Sequence, residues 1–441
     1  MNYKNRRQIL RKTSPSGRIL ILSASLVPRN YAANTYDFHQ DATFRYYTGL
    51  NLPDLALVID ENGRETLYVT TPDPDDVIWT GPVPSPRDLA DRAGIENVAD
   101  YAELDKCIDA HTHFIAPYDY QLMIRLASWI DVHPYQLKLM SSRDLGRAII
   151  AQRSHKDDDE VAELEEAIHL THRMIASAQS AIEPGKLESD IMSALIAPAL
   201  AKERQQAFAP IVTTHGETLH NTVFFHTIEP DDMVLIDCGA ESPNGYCADL
   251  TRTFPASARF SSRKQALYDA VRKTQKAGIE QTAKPGASQY DVHMAACRTL
   301  TLELQQIGLM KGNIDDSLAA GAHALFMPHG IGHMLGLDAH DMENYGDDVG
   351  YAPGTKRSEQ FGLDALRLHR RLEPGFVLTV EPGCYFIPEL IDRWKATHHL
   401  ADFINYAELE RYRDCRGIRI EDDILITDNG SRVLGGDNWN K

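Results

Sequence analysis

Four carboxylate side chains and one imidazole are the groups of this chain best suited to chemistry. Asp237 in MVLIDCG and Asp249 in CADLTRTFP lie twelve residues apart, and His333 in PHGIGHMLG, Glu381 in LTVEPG and Glu421 in GIRIEDD follow. Four carboxylates and one imidazole can hold two divalent cations if two carboxylates bridge. Such oxygen-rich ligation favours Mn²⁺ over a structural Zn²⁺. Paired metals activate water and polarise a carbonyl, so the set predicts a hydrolase.

The two aspartates lie on apolar segments joined by Asn244-Gly245, a strong hairpin signal. A two-residue turn there would place Ala240, rather than Asp237, opposite Asp249. A bulge or a wider loop is therefore needed to bring the carboxylates together. The simpler alternative is that each aspartate only ends a strand. An unpaired aspartate after an apolar run is costly, which favours metal binding.

Three histidines, His329, His333 and His340, fall within twelve residues. Gly330 and Gly332 lie between the first two and argue against a helix, but they let the backbone approach a substrate closely. Further along, strand alternation places Arg419 and Glu421 on one face. There Arg419 would orient the metal-binding carboxylates through hydrogen bonds, without binding the metal itself. A solvated charge run is the alternative for Glu421 and the two aspartates after it, but isoleucines on both sides mark a core strand.

Size and charge bound the possible functions. The 441 residues favour two domains, and 43% hydrophobic and 24% charged residues are ordinary for a soluble enzyme. The net charge of −18 argues against nucleic acid as a partner, since phosphate binding needs a basic face. No segment is long and apolar enough to span a membrane. The six isolated cysteines are expected to be free thiols, which suits the cytoplasm.

The chain divides into two parts with a predicted boundary at about residue 152. Residues 1–152 alternate short apolar strands with helices, which predicts an α/β domain. The predicted strands of this part are residues 18–23, 55–60 and 65–70, and the predicted helices are residues 86–92 and 119–129. Residues 153–441 begin with a long amphipathic helix whose start signal is Ser154, followed by acidic residues. A weak internal duplication is visible, because Glu-Pro precedes the apolar run before both Asp237 and Glu381.

Taken together, these segments resemble the pita-bread metallopeptidases that act next to proline, namely prolidase (Xaa-Pro dipeptidase) and aminopeptidase P. The matching motifs are LIDCG, ADLTRTFP, FMPHGIGHMLGLDAHD, LEPGFVLTVEPG and GIRIEDD, within residues 207–427. FHQDATFRYYTGL and WTG are similar to the creatinase-type N-terminal domain of that family. The resemblance implies an α/β (α+β) fold, a homodimer and a small peptide substrate with proline in second position. The aspartate pair is spaced one residue wider than is usual in the family.

The resemblance also implies roles for single residues. Asp237 would bind one metal and His333 the other, with Asp249 and Glu421 bridging them. Glu381 would be both a ligand and the proton shuttle. His220, in ETLHNT, matches a family histidine beside the substrate. His329 and His340 match histidines that steady the proline end and the tetrahedral intermediate.

The choice between the two activities depends on fewer residues. Arg367, fourteen residues before Glu381, is similar to the prolidase arginine that holds the C-terminal carboxylate of a dipeptide. RYYTGL instead favours aminopeptidase P, and we predict prolidase over this alternative. A metal-free creatinase-like enzyme and a non-catalytic binding module are alternatives of another class, but both are expected to lack the ligand set. A methionine aminopeptidase generally lacks so large an N-terminal domain.

Overall fold

The computed structural model describes residues 1–71 and 73–436. The chain forms two compact units, Met1–Arg153 and Ser154–Lys441, of which the last five residues lie outside the described part. Both units mix helices with strands. Among the described helices, none is long and apolar enough to cross a membrane.

The first unit is built on a four-stranded sheet and a separate hairpin. Its strands are β1 (Ile19–Leu22), β2 (Pro28–Tyr31), β3 (Asn34–Thr35), β4 (Leu55–Ile59), β5 (Glu65–Val69) and β6 (Asn97–Asp100). The sheet has the order β1-β4-β5-β6, antiparallel except between β5 and β6, while β2 pairs with β3. Its α-helices are α1 (Tyr3–Thr13), α2 (Ala42–Thr48), α3 (Val77–Thr80), α4 (Pro86–Ala93), α5 (Tyr120–Trp129), α6 (Leu137–Met140) and α7 (Arg143–Ser154).

The second unit carries the residues singled out for chemistry. Its α-helices are α8 (Asp158–Ala181), α9 (Glu188–Leu200), α10 (Ser262–Thr282), α11 (Gln289–Gln306), α12 (Ile314–Ala319), α13 (Pro388–Ala396) and α14 (Tyr406–Leu409). Its strands are β7 (Ile211–Thr213), β8 (Met233–Cys238), β9 (Leu250–Pro255), β10 (Val377–Val380), β11 (Gly383–Tyr385), β12 (Gly417–Arg419), β13 (Asp422–Thr427) and β14 (Gly430–Val433). Short 3₁₀ turns at Ala322–Leu325, Glu343–Asp348 and Glu410–Cys415 join some of them.

Two similar halves make up this unit, as the Glu-Pro duplication suggested. In the first half, α8 packs on α9 and a three-stranded sheet β7-β8-β9 follows. In the second, α10 packs on α11 and the sheet β10-β13-β14 follows. Asp237 lies within β8, and Glu381 comes directly after β10, so corresponding strands carry one proposed ligand each.

The strands and helices predicted for the first part are confirmed to within a residue or two at each end. The predicted start of the long helix is wrong. Ser154 is the last residue of α7, and α8 begins at Asp158 with Asp157 as its cap. The side chain of Asp157 accepts from the Glu160 amide, and that of Glu160 accepts from the Asp157 amide. This reciprocal capping box is a stronger helix start than Ser154, three residues before Asp157.

A buried ion pair anchors the start of the second unit. Lys156 Nζ lies 3.1 Å from Asp341 Oδ2, and both side chains are 1% exposed. Attraction between buried charges offsets their lost hydration only while both partners are present.

Removal of one partner of this pair should therefore be costly. We expect Lys156→Met to lower the free energy of unfolding by about 3–5 kcal/mol, because the buried carboxylate of Asp341 loses the positive charge that lies 3.1 Å from it. Lys276→Met is the matched control, since Lys276 pairs with Glu280 at the surface, and it should cost less than about 0.5 kcal/mol. Urea unfolding followed by circular dichroism measures both, and equal losses would contradict this account.

Candidate active site

The β8–β9 hairpin brings two of the carboxylates to one face. Asp237 pairs with Thr251, and Asp249 lies two residues before Thr251. Residues two apart in a strand share a face, so both aspartates point to the same side. The loop has three residues, Pro243–Gly245, of which Gly245 adopts a φ of 80°. The predicted need for a wider loop is thus confirmed. Compared with a two-residue turn, the extra residue shifts the strand pairing by one position, and this shift brings the two carboxylates to the same face.

His333 reaches the same cluster from an extended segment. This segment lies antiparallel to β10, with hydrogen bonds from Thr379 N to His333 O and from Glu381 N to Ile331 O. The ring Nδ1 lies 3.0 Å from the Met334 carbonyl and donates to it. The other nitrogen, Nε2, faces carboxylate oxygens of Asp249 and Glu381, and it is the atom of the ring that is open to a metal ion. The separations are 3.5 Å and 3.6 Å.

Arg419 and Thr251 hold the remaining carboxylates. Arg419 Nη2 lies 2.5 Å from Asp237 Oδ2, and its Nε donates to the hydroxyl of Thr251 at 3.1 Å. That hydroxyl donates in turn to Glu421 Oε2 at 2.7 Å. One guanidinium and one hydroxyl therefore set the orientation of Asp237 and Glu421.

Burial dominates the electrostatics of this cluster. It raises the pKa of Asp249, Glu381 and Glu421, and mutual repulsion among the carboxylates adds to the shift. Burial opposes the charged form of His333, but the hydrogen bond with Asp249 and the nearby carboxylates outweigh it and raise its pKa to about 9. The protein thus places more negative charge here than its own cations neutralise.

The donor set fits divalent cations. Asp237 Oδ1 is buried and has no hydrogen-bond partner among the described residues. Two groups of three ligand atoms lie within 4.8 Å of one another, one in His333, Glu381 and Glu421, the other in Asp237, Asp249 and Glu421. Because the groups share Glu421, the five residues could hold two ions, with Glu421 between them. A third group of potential ligands consists of Asp249, His333 and His340.

A cavity of about 710 Å³ opens onto this cluster. Its lining includes all ten residues predicted from the sequence: His220, Asp237, Asp249, His329, His333, His340, Arg367, Glu381, Arg419 and Glu421. The side chain of Glu381 is 18% exposed, against 8% for Asp249 and 12% for Asp237. Glu381 is therefore more accessible from the cavity than either aspartate.

His329 is engaged within the protein through both ring nitrogens. Nδ1 donates to the Gly330 carbonyl at 2.8 Å, and Nε2 accepts from the hydroxyl of Tyr385 at 3.0 Å. The same hydroxyl accepts from Arg419 Nη1 at 3.1 Å. Burial lowers the pKa of His329 to about 4, so the ring is neutral. His329 therefore offers the cavity the apolar edge and face of a fixed ring.

Arg367, which the sequence analysis singled out, lines the cavity. It forms an ion pair with Glu343, and Glu343 also lies 3.8 Å from His340 Nδ1. A second guanidinium, that of Arg357, lines the same cavity and pairs with Asp347 at 2.7 Å.

Four residues that sequence reasoning missed belong to this site: Thr251, Glu343, Arg357 and Tyr385. Thr251 had a usable signal, because strand alternation puts it on the face of Asp249. Glu343, Arg357 and Tyr385 had none, since each reaches the site through a contact between distant parts of the chain.

Two protein-family models match this chain. Residues 162–428 match the model of metallopeptidase family M24, and residues 3–113 match the aminopeptidase P N-terminal domain. The chain therefore belongs to metallopeptidase family M24, whose members use divalent metal ions. Within that family, its fold is the pita-bread catalytic domain preceded by an N-terminal domain of the aminopeptidase P type.

Relatives with both activities are similar over nearly the whole chain. The human Xaa-Pro dipeptidase is 30% identical over 95% of this chain and 86% of its own length. A probable Xaa-Pro aminopeptidase from Fusarium vanettenii is 33% identical over 90% of this chain and 84% of its own.

Two solved structures have the same fold. Aminopeptidase PepP from Pseudomonas aeruginosa superimposes with a TM-score of 0.79 at 26% identity, covering 98% of this chain and 94% of that one. A variant of Escherichia coli aminopeptidase P in complex with substrate gives 0.80 at 26% identity, covering 99% and 94%.

The hydroxyl of Thr251 provides a test of how the carboxylates are held. Thr251→Val keeps the shape but removes the donor to Glu421 and the acceptor for Arg419. We expect metal affinity to fall about ten- to a hundredfold, as when other supporting partners of ligands are lost. The control is Thr274→Val, a buried threonine whose hydroxyl bonds only within α10. Chelator competition measures both affinities, and unchanged metal binding in Thr251→Val would refute this role.

Proposed function

We propose that the chain is a dinuclear-metal peptidase that hydrolyses the bond before proline, with Xaa-Pro dipeptides as its preferred substrates. The observation that carries this proposal is a buried cluster of four carboxylates and His333 at a cavity that also contains Arg367. Family membership supports the metal chemistry, and the names of the relatives support the Xaa-Pro bond.

We assign Asp237, Asp249, His333, Glu381 and Glu421 as the ligands of two divalent ions. Oxygen donors with a single imidazole favour Mn²⁺. When bound, such a pair supplies activated water and polarises the substrate carbonyl. Arg419 neutralises part of the remaining charge and keeps Asp237 oriented.

Glu381 is the group best placed to move a proton. Its side chain is more exposed than those of Asp237 and Asp249, and burial raises its pKa. The nitrogen of proline in an Xaa-Pro bond carries no hydrogen, so it must gain a proton to leave as an amine. A carboxyl group that faces the cavity can supply this proton.

The three histidines around the cavity would position the substrate. His220 and His340 are exposed to the cavity, where they can donate to the substrate carbonyl or to the oxyanion. His329 is held by Tyr385 and Gly330, so it would act by packing against the proline ring rather than by donating a hydrogen bond.

Arg367 would select the length of the peptide. A guanidinium has five donors, and the ion pair with Glu343 leaves others available for a substrate carboxylate. In a dipeptide this carboxylate belongs to proline itself. In a longer peptide it lies further out, and the pair would fail.

Xaa-Pro aminopeptidase activity on longer peptides is the second candidate. It is favoured by the match of residues 3–113 to the aminopeptidase P N-terminal domain. We also propose that the chain acts in the cytoplasm as a homodimer. The six free cysteines are consistent with a reducing compartment.

Metal removal tests the chemistry. We expect exhaustive chelation to abolish hydrolysis of Xaa-Pro substrates and Mn²⁺ to restore it. Glu421→Ala should lose both bound metal and activity, since it removes the ligand that the two ion positions share. Glu389→Ala, at an exposed position on α13, serves as the control. Full activity in metal-free protein would point instead to the metal-free creatinase-like alternative.

Substrate length tests the role of Arg367. We expect Xaa-Pro dipeptides to be cleaved faster than Xaa-Pro-Yaa tripeptides. Arg367→Ala should reduce kcat/KM for dipeptides roughly ten- to a hundredfold, the value of a lost charge-assisted pair, with a much smaller effect on tripeptides.

Arg371→Ala is the matched control, because Arg371 is exposed and lies outside the cavity lining. Faster cleavage of tripeptides and longer peptides by the wild type would identify an Xaa-Pro aminopeptidase. An equal loss on both substrates would mean that Arg367 acts only through Glu343.

A further inference from the structure

A second cluster of potential ligands lies away from the carboxylates. His293 and Cys297 are one turn apart on α11 and share a face. His323 belongs to the 3₁₀ turn Ala322–Leu325, which packs on this helix. All three residues are 0% exposed. One ligand atom from each lies within 4.8 Å of the other two.

The polar atoms of this cluster lack partners. Neither ring nitrogen of His323 has a hydrogen-bond partner among the described residues, and the same holds for His293 Nδ1. Within the cluster, His293 Nε2 and Cys297 Sγ are in polar contact at 3.2 Å. A neutral imidazole carries one N–H and one lone pair, so His323 leaves both unused. Buried groups of this kind normally have a partner, and a bound ion would supply one for all three side chains.

We propose that His293, Cys297 and His323 bind a structural Zn²⁺ ion. A thiolate with two imidazoles is a donor set typical of zinc, and it differs from the oxygen-rich set of the catalytic cluster. A tetrahedral ion with ligands at about 2.0–2.3 Å holds those atoms about 3.5 Å apart. Because the three atoms already lie within 4.8 Å of one another, no pair needs to close by more than about 1.3 Å.

The protonation states are compatible with binding. Burial lowers the pKa of His293 to about 3 and that of His323 to about 4, so each ring keeps a lone pair to donate. Burial also raises the pKa of the Cys297 thiol. Zinc binding would form the sulfur–metal bond and release that one proton to solvent.

The fourth ligand would be a water molecule. Thr301 lies one turn beyond Cys297 on the same face of α11, and its buried hydroxyl has no hydrogen-bond partner in the part of the chain that the structure describes. The same is true of the buried hydroxyl of Ser317, on α12, which packs on α11 and on the 3₁₀ turn. A water needs such polar neighbours.

The ion would connect two elements that support the active site. α11 packs against α10, and the 3₁₀ turn leads directly into the segment with His329 and His333. Zinc would join α11 to the start of that segment, and its role is structural because its ligands do not line the catalytic cavity.

Spectroscopy can separate this ion from the catalytic metals. In protein produced in cobalt-supplemented medium, we expect a sulfur-to-cobalt charge-transfer band, because the five proposed catalytic ligands contain no sulfur. Cys297→Ser should abolish the band and lower the zinc content of protein from zinc medium by about one ion per chain. Cys415→Ser, another buried cysteine outside every ligand cluster, should change neither.

A wild-type measurement keeps the test decisive if Cys297→Ser does not fold. Anomalous diffraction at the zinc edge from crystals grown with zinc should give a peak between Cys297 Sγ and a ring nitrogen of His323. An ordered water or no peak at that position would overturn the proposal. So would the absence of a sulfur-to-cobalt band in the wild type.

Discussion

Uncompensated negative charge in a buried chamber is the constraint on which the second unit depends. Asp237, Asp249, Glu381 and Glu421 converge there, and Arg419 is the guanidinium that reaches them. Charges removed from water are tolerated only when they are paired or bind metal. The divalent metal ions that members of family M24 use would neutralise this negative charge. The raised pKa values of three of these carboxylates show how strongly burial and mutual repulsion oppose their charged form.

Arg419 also links the charged and apolar sides of the cavity. Through Tyr385 it reaches His329, and through Thr251 it reaches Glu421. A single guanidinium therefore sets both the orientation of carboxylates and the position of a ring that lines the cavity. Geometry of this kind lets binding energy be used for orientation, because the groups are held before the substrate arrives.

The two halves of the second unit explain why ligands come from distant segments. Each half supplies a sheet with a carboxylate at or just after one strand, and His333 joins them from the segment beside β10. The first half contributes Asp237 and Asp249 through a three-residue loop. Its extra residue shifts the register and keeps both side chains on one face.

Local patterns in the sequence determined the strands of the first unit, the wider hairpin loop and the chemical nature of the proposed ligand set. Each of these depends on residue type and short spacing, which sequence displays directly. Tertiary structure alone decided that Arg367 pairs with Glu343 and that Tyr385 holds His329, because these contacts depend on how distant segments pack in space. The cap of α8 is a local feature: the capping box of Asp157 and Glu160 is a short sequence pattern, and it was a stronger start signal than Ser154.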